Sequence, residues 1–175
     1  MGNRTFVYTS TSDPTVDDDA DAGYVVMDEW LNTSTPAYFK LYDSTVGAAV
    51  WREFTFASDR YTPDLTDTTN IASSSLDQGF SYLRVNDMVM VSGSVQITPT
   101  ADATLTELNV SLPIASDLTT DYDLTGTGST LYPTGTSNEN GTMLADTTND
   151  EAIFRFFSFA TSVCRWRMVF MYQIQ

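Results

Sequence analysis

The chain has 175 residues, enough for one domain, or one domain with a small appendage, that buries a core without cross-links. Its 23 acidic and 8 basic residues leave a formal net charge of −15 at pH 7, which excludes nucleic acid as a partner and argues against an anionic membrane surface, since both are held by Lys and Arg. The single cysteine excludes an intramolecular disulfide or cysteine-rich zinc site, and with no histidine the Ser-His-Asp, Cys-His and histidine–metal arrangements are closed.

The N-terminus, "MGNRTFVYTSTSDP", has no apolar run long enough for a signal peptide, and no segment approaches the length of a membrane span. A myristoylation signal would carry a hydroxyl at position 6, where this chain has Phe6. Residues 1–23 are polar and end in "TVDDDADAG", which reads as an acidic arm or linker. Asp17, Asp19, Asp21 and Asp28 half-match a calcium loop. Ala22 occupies the place of the turn glycine, and Asp28 that of the long bidentate glutamate, so a solvated linker is expected, with no metal and no cofactor.

Residues 24–56 hold a compact aromatic module, a small β-hairpin unit carrying Trp30, Tyr38, Phe39, Tyr42 and Trp51. From about Arg60 onward the chain becomes a succession of strand-like runs separated by turn residues. In "YLRVNDMVMVSGSVQITPT", Asn86-Asp87 predicts a tight hairpin. Beyond it Val89, Val91, Gly93, Val95 and Ile97 share one face, and Gly93 marks a bulge or a close approach. In "LTELNVSLPIAS", Leu108, Val110, Leu112 and Ile114 alternate against Asn109 and Ser111. Residues 116–150 are polar and glycine-bearing and read as long loops with short strands near Ser129–Pro133 and Gly141–Ala145. The C-terminal "EAIFRFFSFATSVCRWRMVFMYQIQ" predicts two strands around a turn at Ala160–Ser162, the second running to Gln175. Its buried face would carry Cys164, Trp166, Met168, Phe170, Tyr172 and Ile174, with Arg165 and Arg167 opposite. No stretch keeps a helical apolar period. The fold expected is all-β: an antiparallel β-sandwich or jelly roll over 57–175, with a small N-terminal arm and hairpin module.

Catalytic chemistry has little to work with. No phosphate-binding glycine loop is present. A glycosidase needs only two carboxylates across a bond, but Asp64, Asp67, Asp117, Asp121, Asp123, Glu139 and Asp150 fall in polar loop sequence. Tyr122 and Tyr132, in the same loops, are candidate glycan contacts, since a tyrosine offers a flat apolar face with a polar edge.

The stretch "GYVVMDEWLNTSTPAYFKLYDSTVGAAVW" resembles a module common in tailed-bacteriophage virion proteins, especially fibres and surface appendages. The matching features are Gly23-Tyr24, Trp30-Leu31-Asn32-Thr33, Tyr38 to Tyr42, Asp43, and Gly47-Ala48-Ala49-Val50-Trp51. Residues 61–118 are similar to a β-domain at the ends of phage fibre and head-surface proteins, through Tyr61-x-Pro63, Val91-Ser92-Gly93 and Leu112-Pro113-Ile114. The resemblance implies a non-enzymatic virion role, frequently as a trimer. With no heptad stretch and no shaft repeat, a capsid decoration or cement protein is expected, partnered by itself and by the major capsid or another virion protein. The expected location is the virion surface, after assembly in the host cytoplasm without a signal peptide. Trp30, Asn32, Tyr38, Tyr42 and Trp51 would form the docking surface. An adhesin that binds host surface glycans is the alternative, with a small glycan hydrolase behind it.

Overall fold

A computed structural model describes residues 6–35, 37–130 and 139–175. The described residues are all-β, and the chain separates into two compact units, residues 1–56 and 57–175.

The first unit is a four-stranded sheet in the order β1-β2-β3-β4, formed by Val7–Ser10, Glu29–Asn32, Ala37–Asp43 and Val50–Glu53. β2, β3 and β4 pair antiparallel, with a bulge at Leu41/Asp43, whereas β1 runs parallel to β2. A parallel pair needs a long crossover, and residues 11–28 supply it. This corrects the expectation of an arm: the described part of residues 1–23 contributes a strand and its crossover to the sheet. The alternating pattern in "FVYTS" is short and mostly exposed, so little in its hydrophobicity marks it as a strand.

The second unit is one nine-stranded sheet. Its strands are β5 (Phe56–Tyr61), β6 (Leu65–Thr69), β7 (Ile71–Val85), β8 (Met88–Pro99), β9 (Leu105–Ser111), β10 (Leu124–Thr130), β11 (Asn140–Asp146), β12 (Glu151–Phe157) and β13 (Cys164–Gln173). They lie in the order β5-β7-β8-β13-β10-β11-β12-β9-β6. The sheet curls over its own apolar face as a β-sandwich, and its two ends meet: Tyr61 on β5 donates its hydroxyl to the Ser111 carbonyl at the end of β9. At another corner the Asn70 amide donates to Ala101 O and Thr106 Oγ1, while its carbonyl accepts from the Ala101 N–H.

The predicted β7–β8 hairpin is present. Asn86 adopts φ 54°, a left-handed conformation that its short polar side chain tolerates. Val89, Val91, Val95 and Ile97 are buried on one face of β8 as alternation demands. Gly93 is a close approach: a Cβ there would overlap the ring of Phe80. The bulging itself occurs on β7, with register shifts between Leu76 and Gln78 and between Gln78 and Ser81.

Two other expectations are corrected. Residues 116–150 hold the expected strand near Gly141–Ala145, which is β11, and also a full strand where a loop is expected, β10, central between β13 and β11. "LTGTGST" reads as loop because it lacks large apolar residues, yet its glycines are what the core requires. A Cβ at Gly126 would overlap Phe170, and one at Gly128 or Gly141 would overlap the ring of Phe154. The strand expected at Ser129–Pro133 ends at Thr130, and 131–138 lie outside the described residues. The two C-terminal strands expected around Ala160–Ser162 are present as β12 and β13, and the segment between them carries the chain to the other side of β10 and β11. Finally, β13 ends at Gln173. Its alternation is otherwise complete, every second residue from Cys164 to Tyr172 being buried. Phe154, Phe156 and Trp166 pack there with ring centroids 4.3–5.2 Å apart.

Candidate functional site

Three places could carry function: the aromatic centre of the first unit, the loops of the second, and the outward face of β7, β8 and β13.

In the first unit Tyr24 stacks edge-on to Trp51 at 5.6 Å and to Tyr8 at 4.6 Å, and Trp30 meets Trp51 at 5.7 Å. The two indoles are tied to the crossover. Trp30 Nε1 donates to Ser12 O and Trp51 Nε1 to Asp18 O, each at 2.9 Å. Asn32 is buried, donates to Asp13 Oδ1 at 2.7 Å, and accepts the Ser34 and Thr35 amides that close the β2–β3 turn. Trp30 is only 7% exposed. Trp30 and Asn32 are therefore internal parts of this unit, which corrects their expected place on a docking surface. Tyr38 is half-buried. Burial, with a hydrogen bond to Glu29, pushes its phenol up to about 12. Tyr42 is exposed beneath the Arg52 guanidinium, 4.8 Å from its ring centroid.

The carboxylates of the crossover are occupied by backbone. Asp19 accepts the Gly47, Asp21 and Ala22 amides; the Gly47 bond foremost holds its pKa below the usual range, against the opposing effect of burial. Asp28 accepts the Phe6 and Val25 amides. Among the described residues no group of three or more potential ligands could hold a metal ion.

Asp28 also shapes a feature that sequence reasoning passed over. The turn Val25-Val26-Met27 is exposed, with Phe6 and Val7 also exposed nearby in the chain's register, and Met27 adopts φ 81°. A positive φ is costly for a side chain of that size. The available signal was three consecutive apolar residues between Gly23 and Asp28, too short to read as an element.

In the second unit two of the seven acids weighed as a carboxylate pair, Asp123 and Asp150, are turn fasteners, and Asp67 lies within β6. Asp123 accepts the Thr120 and Thr119 amides, which hold its carboxyl well below the usual range. Asp150 accepts the Ser116 and Leu118 amides. Glu139 differs from both: it is buried, with Oε1 unpartnered among the described residues, and its pKa is raised by that burial. Tyr122 is 90% exposed, while Tyr132 lies outside the described residues.

The outward face of β7, β8 and β13 combines two chemistries. Toward one end Leu83 opposes Met90, which opposes Met171, while Val85 opposes Met88 and Val169 opposes Ser92. All six apolar side chains are exposed. Toward the other end lies an open depression of about 480 Å³ lined by Arg60, Arg167, Gln78, Ser81, Ser92 and Gly79, among others. Beside it Asp77 accepts from Gln96, Ser94 and Arg165 at 2.9–3.1 Å, and the Gln96 bond leads the lowering of its pKa. Arg165 is thus paired within the chain.

Neither protein-family models, nor curated proteins, nor solved structures include a match to this chain.

Proposed function

We propose that this chain is a non-enzymatic structural protein of a phage particle, a homotrimeric capsid decoration or cement protein on the head surface. The motif resemblance suggests the particle. The observation that carries the reading is the apolar strip of Leu83, Val85, Met88, Met90, Val169 and Met171 on the outward face of the second unit. Contiguous apolar surface rimmed by polar groups marks a protein–protein contact. Thr125 and Thr127, opposite Met171 and Val169, supply that rim here, with Arg165 beyond.

The occupant is a second copy. In a chain of net charge −15 this face gathers arginines, so it complements the acidic surface every other copy presents. The exposed Val25–Met27 turn with Phe6 and Val7 then serves as the shell attachment in the first unit. Cementing follows by mass action, because whatever binds the assembled shell and not its separated parts stabilises it.

The test is light scattering coupled to size exclusion, wild type against Met90→Glu, followed by rebinding to shells stripped of the protein. A trimeric wild type, a monomeric and folded Met90→Glu, and a raised shell melting temperature on rebinding are expected. A monomeric wild type removes the trimer, and failure to bind shells removes decoration. A second reading, an adhesin for host surface glycans, draws on the protruding Tyr122. Glycan-array binding lost in Tyr122→Ala would favour it.

A further inference from the structure

The depression between β5, β7, β8 and β13 has the chemistry of a binding site, and its argument does not depend on a particle role. Only 8 of the 175 residues are basic, yet Arg60 and Arg167 line the same depression. Neither guanidinium has a carboxylate within ion-pairing distance among the described residues. The nearby Asp77 uses its oxygens on Arg165, Ser94 and Gln96. Asp77 lies close enough to Arg167 to feel its charge without pairing with it, so the two guanidinium groups keep their donors and leave a local positive field in a protein with a large excess of acids.

The backbone makes room for this arrangement. The two register shifts in β7, on either side of Gln78, turn Phe80 into the core and leave Gly79 and Ser81 outward. Bulges of this kind re-aim side chains beside functional sites. The Arg60 guanidinium lies against Gly79, where a Cβ would sit 3.3 Å from Nη2 and crowd it. Ser81 and Ser92 face each other across the strands with their hydroxyls 3.2 Å apart, and Gln78 adds an amide.

We propose that this depression binds an acidic sugar, its carboxylate held by Arg60 and Arg167 and its hydroxyls by Ser81, Ser92 and Gln78. A guanidinium fork matches a carboxylate in two parallel hydrogen bonds. Serine hydroxyls and a side-chain amide both donate and accept, as a sugar hydroxyl requires. The overall charge repels dense polyanions, which selects a ligand with one isolated negative group.

The experiment is a titration of the full chain, followed by two-dimensional NMR, with glucuronate, glucose, acetate and inorganic phosphate. Arg60→Ala and Arg167→Ala are compared with Arg52→Ala, which removes the same charge from the other unit. Saturable shifts with glucuronate, at roughly tenfold tighter affinity than with acetate or phosphate, are expected. They should vanish in Arg60→Ala and Arg167→Ala, weaken in Arg167→Lys and persist in Arg52→Ala, with all variants folded by circular dichroism. Equal binding of acetate, phosphate and glucuronate would mean an adventitious ion only and overturn the sugar assignment. So would no saturable binding, or binding that survives Arg167→Ala.

Discussion

The two units solve the same problem by different means. The second buries a continuous apolar face, from Phe80 on β7 through Trp166 on β13 to Leu108 on β9, under one curled sheet. The first has too few residues for such a core, since a small unit buries a smaller fraction of its surface. It compensates with polar fasteners: two indole N–H groups and the Asp19 and Asp28 carboxylates all bond to backbone of the same fifty-six residues. The contrast is sharpest at the tryptophans. Trp30 and Trp51 each donate a hydrogen bond, whereas Trp166 Nε1 is buried with no partner among the described residues. In the large unit a ring is packing volume, and in the small one it is also a clamp.

The largest effect expected from breaking this contrast is in the second unit. Phe154→Ala empties the space that Gly128 and Gly141 leave for its ring and should cost about 3–5 kcal/mol, measured by urea unfolding. A cost near that of a surface substitution would show that the core is not organised around this ring. A finer experiment replaces each tryptophan with benzothienylalanine, which keeps the ring shape and exchanges the N–H for sulfur. At Trp30 or Trp51 the loss should be about 1 kcal/mol, and at Trp166 the change should be nil or favourable. Equal losses at all three positions would erase the distinction.

The smallest effect concerns pH. Burial raises the Glu139 pKa above its ordinary value of 4.5, so its stabilising contribution is complete below that value and is lost as pH rises through the folded-state pKa. Glu139→Gln should therefore raise the melting temperature at pH 7 and leave it unchanged near pH 3.5. Asp19 and Asp43 in the first unit behave oppositely. Hydrogen bonds from Gly47 and Thr45 depress their pKa values, so their contribution is present at neutral pH and is lost as pH falls through those depressed values. Melting curves of Asp19→Asn against pH, converging with wild type only at acid pH, would check the sign.

Much of the second unit was legible because its strands obey a period of two. β8 and β13 bury alternate residues over nearly their whole lengths, and Asn86-Asp87 marks their hairpin neighbour β7. β10 was not legible, because its contribution is empty space: Gly126 lets the Val169–Phe170 backbone of β13 approach closely, and Gly128 leaves room for the Phe154 ring of β12. β1 was hidden for a related reason: its partner lies across an eighteen-residue crossover held by carboxylate and indole contacts that leave no hydrophobic pattern. The aromatic motif of residues 23–51 was visible, but burial of Trp30 and Asn32 gives those residues an internal role. The arginine depression required register shifts in β7 that no local sequence pattern specifies.

The methionines divide by side of the sheet. In the second unit Met143 and Met168 are sealed in the core, whereas Met88, Met90 and Met171 face outward in one strip; Met27 of the first unit is exposed as well. Oxidants therefore reach these four first, and each thioether that becomes a sulfoxide turns polar while the core methionines stay reduced. Chemical ageing of this protein would thus begin as lost stickiness, with the fold beneath still intact.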